Sequence, residues 1–275
     1  MKKILVLTDF SDCANAASEF AIEIAKLNEA EIHFLHLLHT PVDGVKLPKD
    51  KEKRYPEILS AIEQAKSKLK RWQDKAKSKN LKTEQYLVFS TEKEAVFRHI
   101  DYHHHDFLIM GSHGSKRIKE KIVGSNAQKI IRYSEIPVLI IKRPVTSPVK
   151  NILFVSDFTD VSKDSFHTLT RFADILEAQI DLLFINTSKG FKESVETNKN
   201  MDEVMKYCNR VESCNRNVIP AASVEEGIKD FILQKPMDLI AICTHGKNGF
   251  KQLFSPSIAE KIAKNTILPL LSIKL

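Results

Sequence analysis

The residues best placed to do chemistry are glycines. Gly111-Ser112-His113-Gly114 is followed, after nine residues, by Gly124-Ser125. Without a Cβ, a glycine lets backbone N–H groups come close to a bound anion. A helix opening at Ser125 adds free N–H groups and a favourable dipole. Lys116, Arg117, Lys119 and Lys121 lie between the two glycine pairs. These residue types describe a phosphate cradle, and equally a set of turn glycines with a helix cap. The pattern is not a Walker A loop, because no Gly-Lys-Ser/Thr follows. Nor is it the dinucleotide fingerprint, which has another spacing and follows the first strand.

Other reactive side chains offer less. His33, His36 and His39 are spaced by three. On a strand, positions 33 and 36 face opposite sides, which removes a shared metal site. His103-His104-His105 precedes Asp106 at a helix-to-strand turn and reads as a solvated loop. Cys13, Cys208, Cys214 and Cys243 form no C-x-x-C pair and read as reduced thiols, a Cys208–Cys214 redox pair being the weaker alternative. There is no G-x-S-x-G elbow and no H-E-x-x-H. No catalytic or metal-ligating set is expected.

The elements that must position the glycines come in two copies. Ile4-Leu5-Val6-Leu7-Thr8-Asp9-Phe10-Ser11-Asp12 matches Ile152-Leu153-Phe154-Val155-Ser156-Asp157-Phe158-Thr159-Asp160 at an offset of 148. Later the offset is 132, through Asp106/Asp238, His113/His245, Gly114/Gly246, Ser125/Ser257 and Pro137/Pro269. The chain is therefore an internal duplication. The joint is Arg143-Pro144-Val145-Thr146-Ser147-Pro148, whose prolines disfavour helix and central strand. In the first copy, strands are expected at 3–7, 32–38, 83–89, 107–110 and 138–142. Helices are expected to about residue 27 from a Ser11-Asp12 cap, and at 57–78, 93–102 and 125–133. The second copy reads alike with a shorter middle. Strand–helix alternation implies parallel βαβ units. The expected fold class is α/β: two tandem Rossmann-like or flavodoxin-like domains, 1–143 and 149–275. Each would be a five-stranded, mainly parallel sheet with helices on both faces.

Composition sets bounds on this. The 275 residues are 43% hydrophobic and 28% charged, an ordinary globular mixture. No apolar run approaches the roughly 20 residues of a membrane span. Lys2-Lys3 and the run that follows stop at Thr8-Asp9, short of a signal peptide, so a cytoplasmic location is expected. Residues 1–147 hold 26 basic and 19 acidic side chains, and residues 148–275 hold 16 of each. An anionic ligand therefore suits the first copy. Residues 46–82 carry 13 basic and 5 acidic side chains with few aromatics, which reads as a solvated face and disfavours nucleic acid.

On these residues the chain resembles a tandem universal stress protein. Nucleotide-binding members of that family carry Gly-x2-Gly-x9-Gly-Ser/Thr, matched by Gly111, Gly114, Gly124 and Ser125. Thr8-Asp9-Phe10-Ser11, Leu35-His36-Leu37 and Ile136-Pro137-Val138-Leu139-Ile140-Ile141 extend the likeness over nearly the whole chain in two copies. The resemblance implies ATP, with Mg, as ligand of the first copy. Gly111, Gly114, Gly124 and Ser125 would hold phosphates and ribose. Asp9 would contact the adenosine side and Leu37 the adenine through its backbone. Met110, Ser112, His113 and Asn126 would line the site. In the second copy the aligned residues are Cys243, Gly246, Pro256 and Ser257, so that site is expected to be degenerate. The resemblance further implies that the last strands pair the two domains as a pseudo-dimer within the chain, with a homodimer also open. The implied role is a nucleotide-responsive stress or signalling protein. A slow ATPase or phosphotransferase and a nucleotide-independent scaffold stay open as alternatives.

Overall fold

The computed structural model describes residues 1–38, 56–89, 94–112, 124–159, 163–188, 191–208, 213–244 and 256–274. The first copy gives β1 (Lys3–Leu7), α1 (Asp12–Leu27), β2 (Glu31–Leu38), α2 (Pro56–Lys77), β3 (Thr83–Phe89), α3 (Ala95–His103), β4 (Phe107–Gly111), α4 (Ser125–Tyr133) and β5 (Val138–Ile141). The second gives β6 (Asn151–Val155), α5 (Lys163–Leu176), β7 (Gln179–Asn186), α6 (Ser194–Met205), β8 (Cys214–Pro220), α7 (Val224–Gln234), β9 (Leu239–Thr244), α8 (Pro256–Asn265) and β10 (Leu270–Lys274).

Local chemistry explains the recurring ends. Ser11 caps α1 by accepting the Ala14 N–H, with Asp12 in the first turn and Lys26 in the last. α1 then stops at Glu29, which is left-handed (φ 50°), while the Ala30 N–H returns to the Ala25 carbonyl. α5 stops identically: Glu177 has φ 53° and the Ala178 N–H returns to Ala173. Asp106 accepts the backbone N–H groups of Lys2 and Lys3, just as Asp238 accepts those of Lys150 and Asn151. The duplication thus extends to side-chain hydrogen bonds.

The strands lie in one sheet in the order β3-β2-β1-β4-β5-β10-β9-β6-β7-β8. Each half supplies five of these strands, and the two sets are continuous through their last strands. Leu139 stands opposite Leu271 in an antiparallel β5–β10 pair that fuses both halves, while the other described pairs are parallel. Strand alternation builds two apolar layers. Ile4 and Val6 face Ala17, Ile24 and Leu69, whereas Leu5 faces Val96 and Ile130. Each layer runs on into the second half, through Phe154 and Phe166 on one face and Leu153 and Phe231 on the other.

Side chains also cross the join. Lys142 is buried, and its Nζ donates to the carbonyls of Ala263 and Thr266 at the end of α8. Its counterpart Lys274 instead pairs with Glu135, and Arg132 holds Glu260 through Nε at 3.0 Å and Nη2 at 2.6 Å.

Two sequence expectations fail locally. Cys208 and Cys214 are disulfide-bonded rather than reduced, because the return from α6 into β8 brings their Cα atoms to 6.7 Å. His103-His104-His105 is not a solvated loop. His103 ends α3, His104 turns left-handed (φ 54°), and His105 folds back into the core at 4% exposure.

Candidate functional site

In the first half, the chain runs outward from β1 to β2 and β3, then reverses to β4 and β5. The reversal leaves a crevice at the carboxyl ends of β1 and β4, the usual ligand position in such sheets. Leu7 pairs in register with Met110 there. The glycine-bearing strand end and the Asp9 turn are thereby neighbours.

The Asp9 turn is tightly built. The Phe10 N–H donates to Thr8 Oγ1 (3.0 Å) and the Ser11 N–H to Asp9 Oδ1 (3.1 Å). Phe10 is held left-handed at φ 63°, a conformation that costs a non-glycine residue about 1–2 kcal/mol. His36 Nδ1 donates to the Thr8 carbonyl (2.7 Å), and its ring lies 4.5 Å from that of Phe10. Lys68 stands 5.2 Å above the Phe10 ring, carrying positive charge from α2 to the rim. Asp9 itself is exposed.

At the end of β4, Met110, Gly111 and Ser112 are buried. The Ser112 N–H donates to Ile141 (2.9 Å), and the Ser112 carbonyl accepts the Gly124 N–H (2.8 Å). Gly124 then opens α4 in an extended conformation with no side-chain cap, and its carbonyl accepts the first helical bond, from Gln128. The Gly124 amide is therefore committed to the protein. The backbone amides of residues 125–127 remain as the helix-terminal donors. Gly111 has a packing reason to lack a side chain: a Cβ there would lie 2.7 Å from the Ala14 nitrogen. The missing Cβ makes room for α1, not for a ligand.

Beside these donors lies a small apolar cleft of about 40 Å³, lined by Leu7, Leu37, Val96, Phe97, Asn126 and Lys129. It joins the expected adenine-side residue Leu37 to Asn126 of α4. Asp9, Leu37, Met110, Gly111, Ser112, Gly124, Ser125 and Asn126 all fall at this end of the sheet. His113 and Gly114 lie outside the described residues. Sequence reasoning missed Val96, Phe97 and Lys129, which come from α3 and α4 and were legible only as helix-face positions.

The second half repeats the turn with different residues around it. The Phe158 N–H donates to Ser156 Oγ (3.1 Å), the Thr159 N–H to Asp157 Oδ1 (3.3 Å), and Phe158 has φ 55°. Asp157, however, is only 6% exposed. Cys243 fills the position of Gly111, and burial, then the Asp157 carboxylate, pushes its thiol pKa far up. Pro256 is the first residue of α8 and has no N–H to offer. Gly246 and Gly249 lie outside the described residues.

The family model for the universal stress protein family matches residues 1–142, half of the chain. The chain belongs to the universal stress protein family. Universal stress protein MJ0577 of Methanocaldococcus jannaschii is 29% identical over 154 residues, spanning 52% of this chain and 95% of that one. Universal stress protein YxiE of Bacillus subtilis is 26% identical, over 51% and 98%. A universal stress protein of Archaeoglobus fulgidus has a solved structure that superposes with a TM-score of 0.76 at 15% identity. It covers 99% of this chain and 98% of that one. At that identity it speaks for the fold alone, but it does so across both halves. Among the described residues, no helix is long and apolar enough to cross a membrane. Nor do any three His, Cys, Asp or Glu side chains among them converge on a metal position.

Proposed function

We propose that this universal stress protein binds ATP, with Mg, in its first half only, and acts as a nucleotide-responsive stress or signalling protein. One observation carries the reading: the uncapped start of α4 and the Leu37–Asn126 cleft open side by side at the β1/β4 crevice. Phosphates would sit at the amides of residues 125–127 and draw on the basic side chains between Ser112 and Gly124. Adenine would lie toward Leu37, and Asp9 would face the ribose. Met110, Gly111, Ser112, His113, Gly114 and Gly124 would frame the phosphate side.

The rest of the reading follows the duplication. Residues 1–143 and 149–275 form two domains paired as a pseudo-dimer through β5 and β10, the second with a degenerate site. We place the protein in the cytoplasm. The Cys208–Cys214 bridge is the observation set against that, since disulfides persist mainly in oxidising compartments.

The scaffold alternative has its own support. Gly111 is explained by α1 and the Gly124 amide by Ser112, so part of the glycine pattern needs no ligand. Calorimetric titration of nucleotide-stripped protein with Mg-ATP separates the readings. One site per chain, weakened at least tenfold by Asn126→Pro or Asp9→Ala, supports ATP binding. Two sites per chain overturn the asymmetry. No heat and no nucleotide competition leave the scaffold.

A further inference from the structure

Four imidazoles stand together at the amino ends of β2, β3 and β4, the end of the sheet away from the cleft. His99 and His103 lie one turn apart on α3, with ring centroids 4.3 Å apart. His105 is 5.0 Å from His33 and 5.5 Å from His99. Tyr86 of β3 closes the group at 4.5 Å from His99 and 4.6 Å from His103. His33, His99 and His105 are all buried.

The hydrogen bonds fix where protons can sit. Glu31 Oε1 only accepts, so His33 Nε2 (2.8 Å) carries a proton toward it. In neutral His33, Nδ1 is then an acceptor, and it takes the proton of His105 Nε2 at 3.0 Å. His105 Nδ1 is left as a bare lone pair. Among the described residues it is buried with no partner, as is His99 Nε2. A proton added at either atom would be a buried cation with nothing to accept its N–H.

The surrounding charges do not relieve it. From β1, Lys3 reaches the His103 carbonyl (3.2 Å) and adds positive charge. From β2, Glu31 is shared between His33 and Lys82. From β3, Glu84 accepts the Tyr86 hydroxyl. Asp106 holds the amides of Lys2 and Lys3. His104, following α3, adds to the repulsion on His103. The second half fills the same place without imidazoles. Asp181 aligns with His33, Phe231 with His99, Lys235 with His103 and Met237 with His105. There Lys235 Nζ donates to Asp181 Oδ1, and Asn217 donates to the same oxygen at 3.1 Å.

We propose that the His33–His99–His103–His105 cluster is an acid-sensitive latch: neutral, it clamps α3 onto β2 and β3, and proton uptake by His99 and His105 releases α3. Burial, with neighbouring imidazoles adding to it, lowers the pKa of His99 to about 4 and that of His105 to about 3, from an ordinary 6.5. Burial likewise lowers His103. The released state therefore holds more protons than the clamped one between pH 6.5 and these values. The clamp is at full strength above pH 6.5 and is lost as pH falls. Release rises about tenfold per pH unit for each proton taken up, or about 100-fold for two. Because Val96 and Phe97 of the same helix line the cleft, release of α3 also unseats one of its walls.

The test is hydrogen exchange of the full chain at pH 7.5 and 5.0, corrected for intrinsic rates, with α7 as internal control. α3 amides are expected to lose about 1,000-fold in protection at pH 5.0, two protons over 1.5 pH units below 6.5, while α7 holds. His99→Phe with His105→Met, copying the second half, should remove that loss. Equal changes in α3 and α7, or an acid loss that persists in the double variant, would overturn the latch. Should the variant not fold, imidazole NMR of the wild type decides. Titration of His99 and His105 near pH 6.5 with α3 still protected overturns the proposal. Protonation only as α3 loses protection supports it.

Discussion

The two halves of this molecule share their backbone turns and differ in what fills them. Asp9-Phe10 and Asp157-Phe158 make the same left-handed turn with the same hydrogen bonds, and Glu29 and Glu177 end their helices alike. Yet Gly111 lets α1 close on the end of β4, while Cys243 keeps a buried thiol at the equivalent place. α4 opens at Gly124 with no side-chain cap among the described residues; α8 opens with Pro256. Polar groups at the strands' amino ends are imidazoles in one half and an Asp181–Lys235 pair in the other. Duplication preserved what the backbone needs locally. It left free to diverge whatever only a ligand or a neighbouring side chain demands.

The sharpest way to break this comparison is to exchange the residues. Gly111→Cys places a Cβ 2.7 Å from the Ala14 nitrogen and 2.8 Å from the Cys13 carbonyl carbon, both backbone atoms. It should cost about 3 kcal/mol in urea unfolding, whereas Cys243→Gly should cost about 1–2 kcal/mol as a cavity and a flexible residue. Similar costs would mean that the two strand ends are packed alike after all.

A smaller effect separates the lysines that cross the join. Lys142→Met removes a donor from two buried carbonyls and should cost about 2 kcal/mol. Lys274→Met breaks an ion pair whose Glu135 side chain is 76% exposed, and should cost less than about 1 kcal/mol. Burial also lowers the Lys142 ammonium from 10.5 to about 8. The unfolded chain then holds the extra proton between these values. Wild type should gain stability over Lys142→Met as pH rises from 8 to 10.5, by up to about 1.4 kcal/mol per pH unit. A flat difference across that window would remove the charged lysine from the account.

The smallest effect tests sameness. Glu29→Gly and Glu177→Gly each relieve a left-handed residue, at φ 50° and 53°, and should each raise stability by about 0.5–1 kcal/mol. Thermal melts giving clearly unequal gains would show that the two helix ends differ in the strain they hold.

Much of the fold was legible because it is written in local terms. The Ser11 cap, the β-branched runs and the proline joint placed β1, α1, β3, α4 and β5 within a residue or two of where they lie. The candidate site was legible at its strand ends, since glycines and Asp9 have recognisable turn chemistry. Its α3 wall was not, because Val96 and Phe97 look like any apolar helix face until the helix is docked.

The sequence by itself determined the duplication, the strand–helix alternation and the asymmetry between Gly124-Ser125 and Pro256-Ser257. Each is written in short local runs that can be matched between the two copies without knowing which buried side chains meet. Only the tertiary structure decided the antiparallel register in which β5 meets β10, with Leu139 opposite Leu271, that Gly111 serves α1, and that Cys208 meets Cys214. It also decided that four histidines, scattered over residues 33–105, share one buried site. Apart from Cys208–Cys214, six residues apart, these contacts join segments distant in sequence, and no local spacing encodes which buried side chains will meet.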